Sequence, residues 1–241
     1  MPGGTLTGGR LGRLFPPMCG RYAREVSDEE LVEIFKILRE KQQSEINYDV
    51  KPGTPVSSIR LDGQGQRELV GLPWMWIHPK YRHFNAKGEN VRRYPAYRES
   101  FASRRCLVPA TGYYEWMKVS PKVKQRYYIE RNDGKLMAFA GLYSEDSTLM
   151  ATITVPPNAE VTKIHDRLPV FIEEKDWERY LDPEPLTDEE KHRMIATPPD
   201  GYFKFWPVAN LALGADLKRE IKVMPPQNEK PKAVPQPDLF G

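Results

Sequence analysis

The chain has 241 residues, 39% hydrophobic and 29% charged with a net charge of +3, so it can bury a core and is not disordered throughout. No apolar run approaches the about 18 residues of a membrane-spanning helix. The two cysteines, Cys19 and Cys106, make neither a disulfide framework nor a Cys-x-x-Cys zinc pair. This cysteine usage points to a reducing, intracellular setting. The 23 prolines argue for extended loops and irregular strands over a helical bundle.

In chain order, residues 1–17 are rich in Gly and Pro, lack an apolar h-region, and fit neither a signal peptide nor a regular element. Ser27-x-x-Glu30 is a capping box, and Leu31, Ile34, Phe35 and Leu38 recur at helical spacing, which predicts a helix over about 27–42. Arg126–Arg131, the turn Asn132-Asp133-Gly134 and Lys135–Tyr143 read as a hairpin. Cys106–Val108, Leu149–Val155 and Val170–Ile172 are further strand candidates. Short helices are expected at Glu174–Leu181 and after the box Thr187-x-x-Glu190, the latter ended by Pro198-Pro199. Strands with a few marginal helices and no mid-chain linker predict one α+β domain over 18–224. From about Pro225 the Pro/Lys/Gln/Glu-rich tail to Gly241 is expected to be disordered.

Charge is concentrated. Residues 79–105 hold eight cations (Lys80, Arg82, Lys87, Arg92, Arg93, Arg98, Arg104, Arg105) against Glu89 and Glu99, a net +6 that leaves −3 for the rest. Tyr81, Phe84, Tyr94, Tyr97 and Phe101 are interleaved with them. Cations with stacking rings suit a single-stranded nucleic-acid groove, and a solvated loop whose rings pack the core is the equal alternative. Four stretches carry reactive groups in apolar or turn-like contexts: Cys19 beside Arg21, Asn85, Glu115 among aromatics, and His165 before a strand. An adjacent cation favours thiolate, so a lowered Cys19 pKa is one expectation and a buried, inert cysteine the other. Thiol, carboxylate, imidazole and amide are the parts of nucleophilic catalysis with acid–base help.

Six motifs occur in order: MCGRY (18–22), DVKPG around Pro52, NAKGE (85–89), RRCLVPATGYYEW (104–116), FAGLY (139–143) and HDRLP (165–169). In these the chain resembles the SOS response-associated peptidase (SRAP) family. The resemblance implies a single α+β domain with a curved, barrel-like β core flanked by short helices, acting as a bacterial or phage-encoded cytoplasmic monomer. It implies a DNA-damage role: binding single-stranded DNA and trapping abasic sites as a covalent thiazolidine through an N-terminal cysteine. AP-lyase and self-processing peptidase activities come with it, and no cofactor or metal. By motif, Cys19 is the nucleophile, Asn85 positions it, Glu115 handles protons at the amine, and His165 protonates the sugar ring oxygen. Arg21, Pro52, Tyr81, Lys87, Arg92, Arg93 and Arg98 are the implied DNA contacts.

There are departures from the family pattern. Lys87 replaces a usual arginine, Pro95 falls where a second basic residue is frequent, and Tyr81 replaces a stacking tryptophan. Asp49 replaces an asparagine, Leu168 a methionine, and Trp74–Pro79 the usual Trp-Gly segment. The implied chemistry needs a free α-amine on Cys19, yet residues 1–17 and Met18 precede it. A true start at Met18, or cleavage before Cys19, is the expectation. A cysteine hydrolase using Cys19 with His165, or a non-catalytic adaptor, is the alternative. The tail ends in Gln236-Pro237-Asp238-Leu239-Phe240, which resembles a bacterial sliding-clamp-binding peptide.

Overall fold

A computed structural model describes residues 19–40, 45–78, 81–210 and 214–220, with the side chains of His78 and Tyr81 outside that description. The expectations for residues 1–17, for the tail and for its Gln236, Leu239 and Phe240 therefore lie outside the described residues, as do Pro79 and Lys80. Among the described residues, fifteen strands and four α-helices follow one another. The first half holds β1 (Tyr22–Arg24), α1 (Asp28–Phe35), β2 (Arg39–Glu40), β3 (Asn47–Val50), β4 (Pro55–Leu61), β5 (Arg67–Pro73), β6 (Trp76–His78), β7 (Tyr81–His83), β8 (Asn85–Lys87) and α2 (Pro95–Ser103). The second holds β9 (Arg105–Ala110), β10 (Gly112–Lys118), β11 (Lys124–Arg131), β12 (Met137–Tyr143), β13 (Met150–Val155), β14 (Leu168–Pro169), α3 (Trp177–Leu181), α4 (Asp188–Met194) and β15 (Phe203–Val208).

Two mainly antiparallel sheets carry the core. One runs β15-β11-β10-β1-β3, the other β14-β13-β12-β9-β4-β5-β2, with β8 added in parallel to β13. They curl around shared aromatics without closing into a barrel. Tyr22 meets Trp74 and Phe139 edge-on at 5.5 Å, and Tyr113, Phe171 and Phe203 extend the same cluster. Strand alternation divides the first sheet: Tyr113 faces this core, whereas Tyr114 packs with Tyr128, Val208 and Leu217 on the opposite face. By the same period of two, Glu115 points inward with Tyr113. The architecture is α+β, as the sequence predicts.

Several elements differ from expectation. The capping box forms, yet α1 stops at Phe35 because Lys36 turns left-handed (φ 52°) and the chain then pairs Arg39 with Glu68 of β5. Leu31 and Phe35 are buried, while Ile34 and Leu38 remain exposed. The expected hairpin does not form. Its turn exists, with Gly134 at φ 72°, but β11 pairs β10 and β15 while β12 pairs β9 and β13. The turn is thus a corner between sheets. Val170–Ile172 forms no named strand beyond a bridge from Phe171 to Phe139. The helix after Thr187 keeps its predicted box and ends at Met194, before the prolines.

The charged stretch is partly structural. Tyr97 and Phe101 are core residues, with Trp76 and Tyr97 rings 5.1 Å apart. Arg105, 1% exposed, donates to the carbonyls of Phe101, Ala102, Tyr180, Asp182 and Glu184, tying α2 and α3 to the sheet. Replacing Arg105 by Met strands these buried acceptors and is expected to cost roughly 3 kcal/mol or more. Arg98→Ala, which removes only an exposed pair with Glu99, is expected to leave the unfolding midpoint unchanged. Thermal unfolding of the two variants checks both.

Candidate active site

The antiparallel register of β1 on β10 (Tyr22 opposite Tyr113, Ala23 opposite Gly112) creates the site. Extended back past Tyr22, it brings Gly20 and Cys19 opposite Glu115 and Trp116. His165 arrives from the other sheet, in the loop between a short 3-10 turn at Val161–Lys163 and β14. The site therefore lies at the seam of the two sheets. The ligating atoms of Cys19, Glu115 and His165 all lie within 4.8 Å of one another. His165 Nε2 is 3.6 Å from Glu115 Oε2, and the Cys19 thiol donates to the Arg167 carbonyl at 3.4 Å.

Cys19 sits at φ 39°, a left-handed conformation uncommon for a residue with a Cβ. Its thiol is not activated by the neighbouring arginine. Burial pushes it well above the usual cysteine range, Glu115 adds to the rise, and Arg167 offsets only part. Arg21, expected to lower it, is held instead by Asp49 at 2.5 and 2.7 Å. Burial likewise pushes the Glu115 carboxyl up to about 8, while the thiol and main-chain nitrogen of Cys19 and the N–H of Trp116 pull it back. Its Oε1 is buried without a hydrogen-bond partner, as is the Tyr113 hydroxyl. Burial lowers His165 below its ordinary value, outweighing Asp166. Around Nδ1 stand the Arg167 N–H at 3.1 Å and, as acceptors, the Arg167 carbonyl and an Asp166 carboxylate oxygen at 3.2 Å. Either imidazole tautomer finds a partner there, which suits a group that passes protons.

Asn85 opens β8, opposite Thr152 of β13, and is nearly buried. The Thr152 hydroxyl donates to its side-chain oxygen. Asn85 is not part of the Cys19–Glu115–His165 cluster, although the ring of its neighbour Phe84 and the ring of Pro52 both lie against Gly20, next to Cys19. Lys87 is exposed at the end of β8, and Arg93 and Arg98 are exposed around α2. Arg92 is committed elsewhere: it pairs with Asp188, donates to the Leu186 and Thr187 carbonyls and covers the Phe101 ring. Tyr81 lies in β7.

Two residues without an assigned role in the sequence reading support the site. Arg167 is buried, makes a bidentate pair with Glu89 and donates to the Thr154 carbonyl at 2.6 Å. It thereby joins the NAKGE and HDRLP motifs. Tyr113 places its buried hydroxyl near Cys19 and Glu115, whose charges help raise its pKa after burial itself. Both residues lie inside the recognised motifs. Only the register shows what they touch.

A family profile described as "SOS response associated peptidase (SRAP)" matches residues 18–212. The abasic site processing protein YobE of Bacillus subtilis (strain 168) is 31% identical over 199 residues, spanning 76% of this chain and 90% of the relative. The abasic site processing protein YoqW of Bacillus phage SPbeta is also 31% identical over 199 residues, spanning 76% and 88%. A crystal structure of a Bacteroides thetaiotaomicron protein superposes with a TM-score of 0.70 at 18% identity, covering 85% of this chain and all of the other. That likeness concerns the fold, and it agrees with two curled sheets carrying few helices. Matched over most of its length by the profile and by relatives of nearly its own extent, the chain belongs to the SOS response associated peptidase (SRAP) family.

Proposed function

We propose that the protein captures abasic sites in single-stranded DNA by forming a thiazolidine with the amine and thiol of Cys19. The observation that carries this reading is that the Cys19 thiol lies within 4.8 Å of a Glu115 carboxylate oxygen and a His165 ring nitrogen, on a backbone that runs antiparallel beside the strand of Glu115. One proton acceptor thus serves both nucleophiles. The active form begins at Cys19, so the bond from Met18 must be absent or cut, by self-processing or by initiator removal. The α-amine then attacks the C1′ aldehyde, and the carbinolamine loses water to an imine. Thiol sulfur adds to the imine carbon, and its proton ends on nitrogen. Water is the only product lost. Glu115 takes the proton from the α-ammonium, freeing the amine to attack, and His165 donates one to the sugar ring oxygen as the aldehyde opens. Asn85 helps position the Cys19 nucleophile. AP-lyase activity is the branch in which the imine loses its C2′ proton and the 3′ phosphate before sulfur closes.

The raised thiol weighs against a cysteine hydrolase, which needs standing thiolate, and suits a sulfur that reacts only after the amine. The exposed Lys87, Arg93 and Arg98 grip phosphates, and Arg21, Pro52 and Tyr81 are further contacts to the strand. The pentapeptide with Gln236, Leu239 and Phe240 docks on a bacterial sliding clamp, a contact that Leu239→Ala with Phe240→Ala should abolish.

The deciding experiment uses protein beginning at Cys19 and oligonucleotides with and without an abasic site. A band resisting denaturation is expected with the abasic strand alone and should vanish in Cys19→Ala. Crosslinking that persists in Cys19→Ala would end this reading.

A further inference from the structure

We propose that Cys19, Glu115 and His165 form a binding site for a borderline-soft divalent cation, zinc above all, and that the bound ion reversibly blocks the aldehyde chemistry. The blocking clause rests on the proposed function, whereas the binding clause does not. The donors are one sulfur, one imidazole nitrogen and one carboxylate oxygen, all within 4.8 Å of one another. A tetrahedral zinc with bonds near 2.0–2.3 Å separates its ligands by about 3.3–3.7 Å. His165 Nε2 and Glu115 Oε2 already stand at 3.6 Å. A single hard oxygen donor is too little for magnesium or calcium, while the Cys/His pair selects zinc-like ions.

Independent support comes from Glu115 Oε1, an oxygen buried in a residue 1% exposed and left without a hydrogen-bond partner. A cation would satisfy it. The surroundings can also accommodate a metal-bound histidine: Nδ1 meets the Arg167 N–H at 3.1 Å, but the Arg167 carbonyl and an Asp166 carboxylate oxygen at 3.2 Å can accept from it instead, in the tautomer that frees Nε2 for an ion. Arg167, whose charge bears on Cys19, is matched by its bidentate pair with Glu89. Three protein ligands leave a fourth position for water or for the α-amine of Cys19. Binding releases the thiol proton and any proton on Glu115 to solvent. An ion that fixes the sulfur and takes the Glu115 carboxylate and His165 nitrogen removes the groups that move protons in the aldehyde chemistry, so metal and aldehyde chemistry exclude one another.

The test titrates untagged, metal-free full-length protein with Co²⁺, then with Zn²⁺. One equivalent of cobalt should give intense tetrahedral visible bands and a thiolate-to-cobalt charge-transfer band, both bleached by zinc. Cys106→Ser, deep in the second sheet, should retain them. Cys19→Ser should lose the charge-transfer band, and His165→Ala and Glu115→Gln should each weaken binding by about tenfold or more. An octahedral spectrum, or a charge-transfer band surviving Cys19→Ser, overturns the site. In the second arm, protein beginning at Cys19 meets abasic oligonucleotide with saturating zinc, then with a chelator. Suppression and recovery support the block, and unchanged yield overturns it. Failure to crosslink even in chelator counts against the proposed function alone, since the cobalt spectrum is read without DNA.

Discussion

Glu115→Gln is expected to stabilise the protein at alkaline pH while slowing crosslink formation by about 10²–10⁴-fold. Both effects arise from one buried carboxyl. Its pKa is about 8 in the folded chain against 4.5 for an ordinary glutamate. Between those values the folded state holds a proton that the unfolded state has released. Stability therefore falls as pH rises through this window, and the penalty is complete above about pH 8, where it amounts to a few kcal/mol. Glutamine keeps the shape and cannot ionise. Its advantage in unfolding midpoint should be small at pH 5 and reach several degrees at pH 8.5. An advantage equal at both pH values would show that Glu115 is not the titrating group. In crosslinking assays the native protein should quicken as pH rises toward 8, because both Glu115 and an α-amine of pKa about 7.7–8.0 must shed protons. The variant should retain only the amine's part of that profile.

Why the carboxyl is buried was partly legible in the sequence. The motif holding Tyr113, Tyr114 and Glu115 alternates as a strand should, and the resemblance placed Cys19, Glu115 and His165 in one site. What could not be read was register. The raised Cys19 thiol depends on its burial beside Glu115 at a sheet seam, and the effect expected from Arg21 disappears because Asp49, twenty-eight residues away, claims its guanidinium. The turn at Asn132-Asp133-Gly134 has the same local chemistry whether its flanking strands pair or part. They part here because β10 and β15 take β11 while β9 and β13 take β12. Composition also could not separate the arginines near residue 100. Arg105 and Arg98 look alike in sequence, yet one clamps five carbonyls and the other lies in water. α2 carries no capping residue to announce it, since Tyr94 makes no side-chain cap, and Pro95 stands at the first helical turn, where a proline N–H is not missed.

Arg167→Ala is expected to reduce both stability and capture, and Arg167→Lys to separate them. The side chain holds Glu89 in a bidentate grip and reaches Thr154, while its main-chain carbonyl receives the Cys19 thiol and its N–H meets His165 Nδ1. It thus positions two reacting groups without touching substrate. Alanine deletes a buried cation whose partner Glu89 is 44% exposed and can be rehydrated. The loss should therefore be about 2–4 kcal/mol, below that for a fully enclosed pair. Lysine preserves the charge but not the planar fork, so the loop carrying His165 is free to shift. A shift of about 1 Å is enough to cost ~10²-fold in rate. Arg167→Lys should accordingly keep most of the thermal midpoint and lose most of the crosslinking rate, with single-stranded DNA affinity unchanged. Glu89→Gln, which leaves the Thr154 contact, should fall between native and lysine protein. If Arg167→Lys crosslinks at the native rate, the guanidinium serves folding alone, and the alignment of Cys19 and His165 must come from the backbone of β14 and its loop.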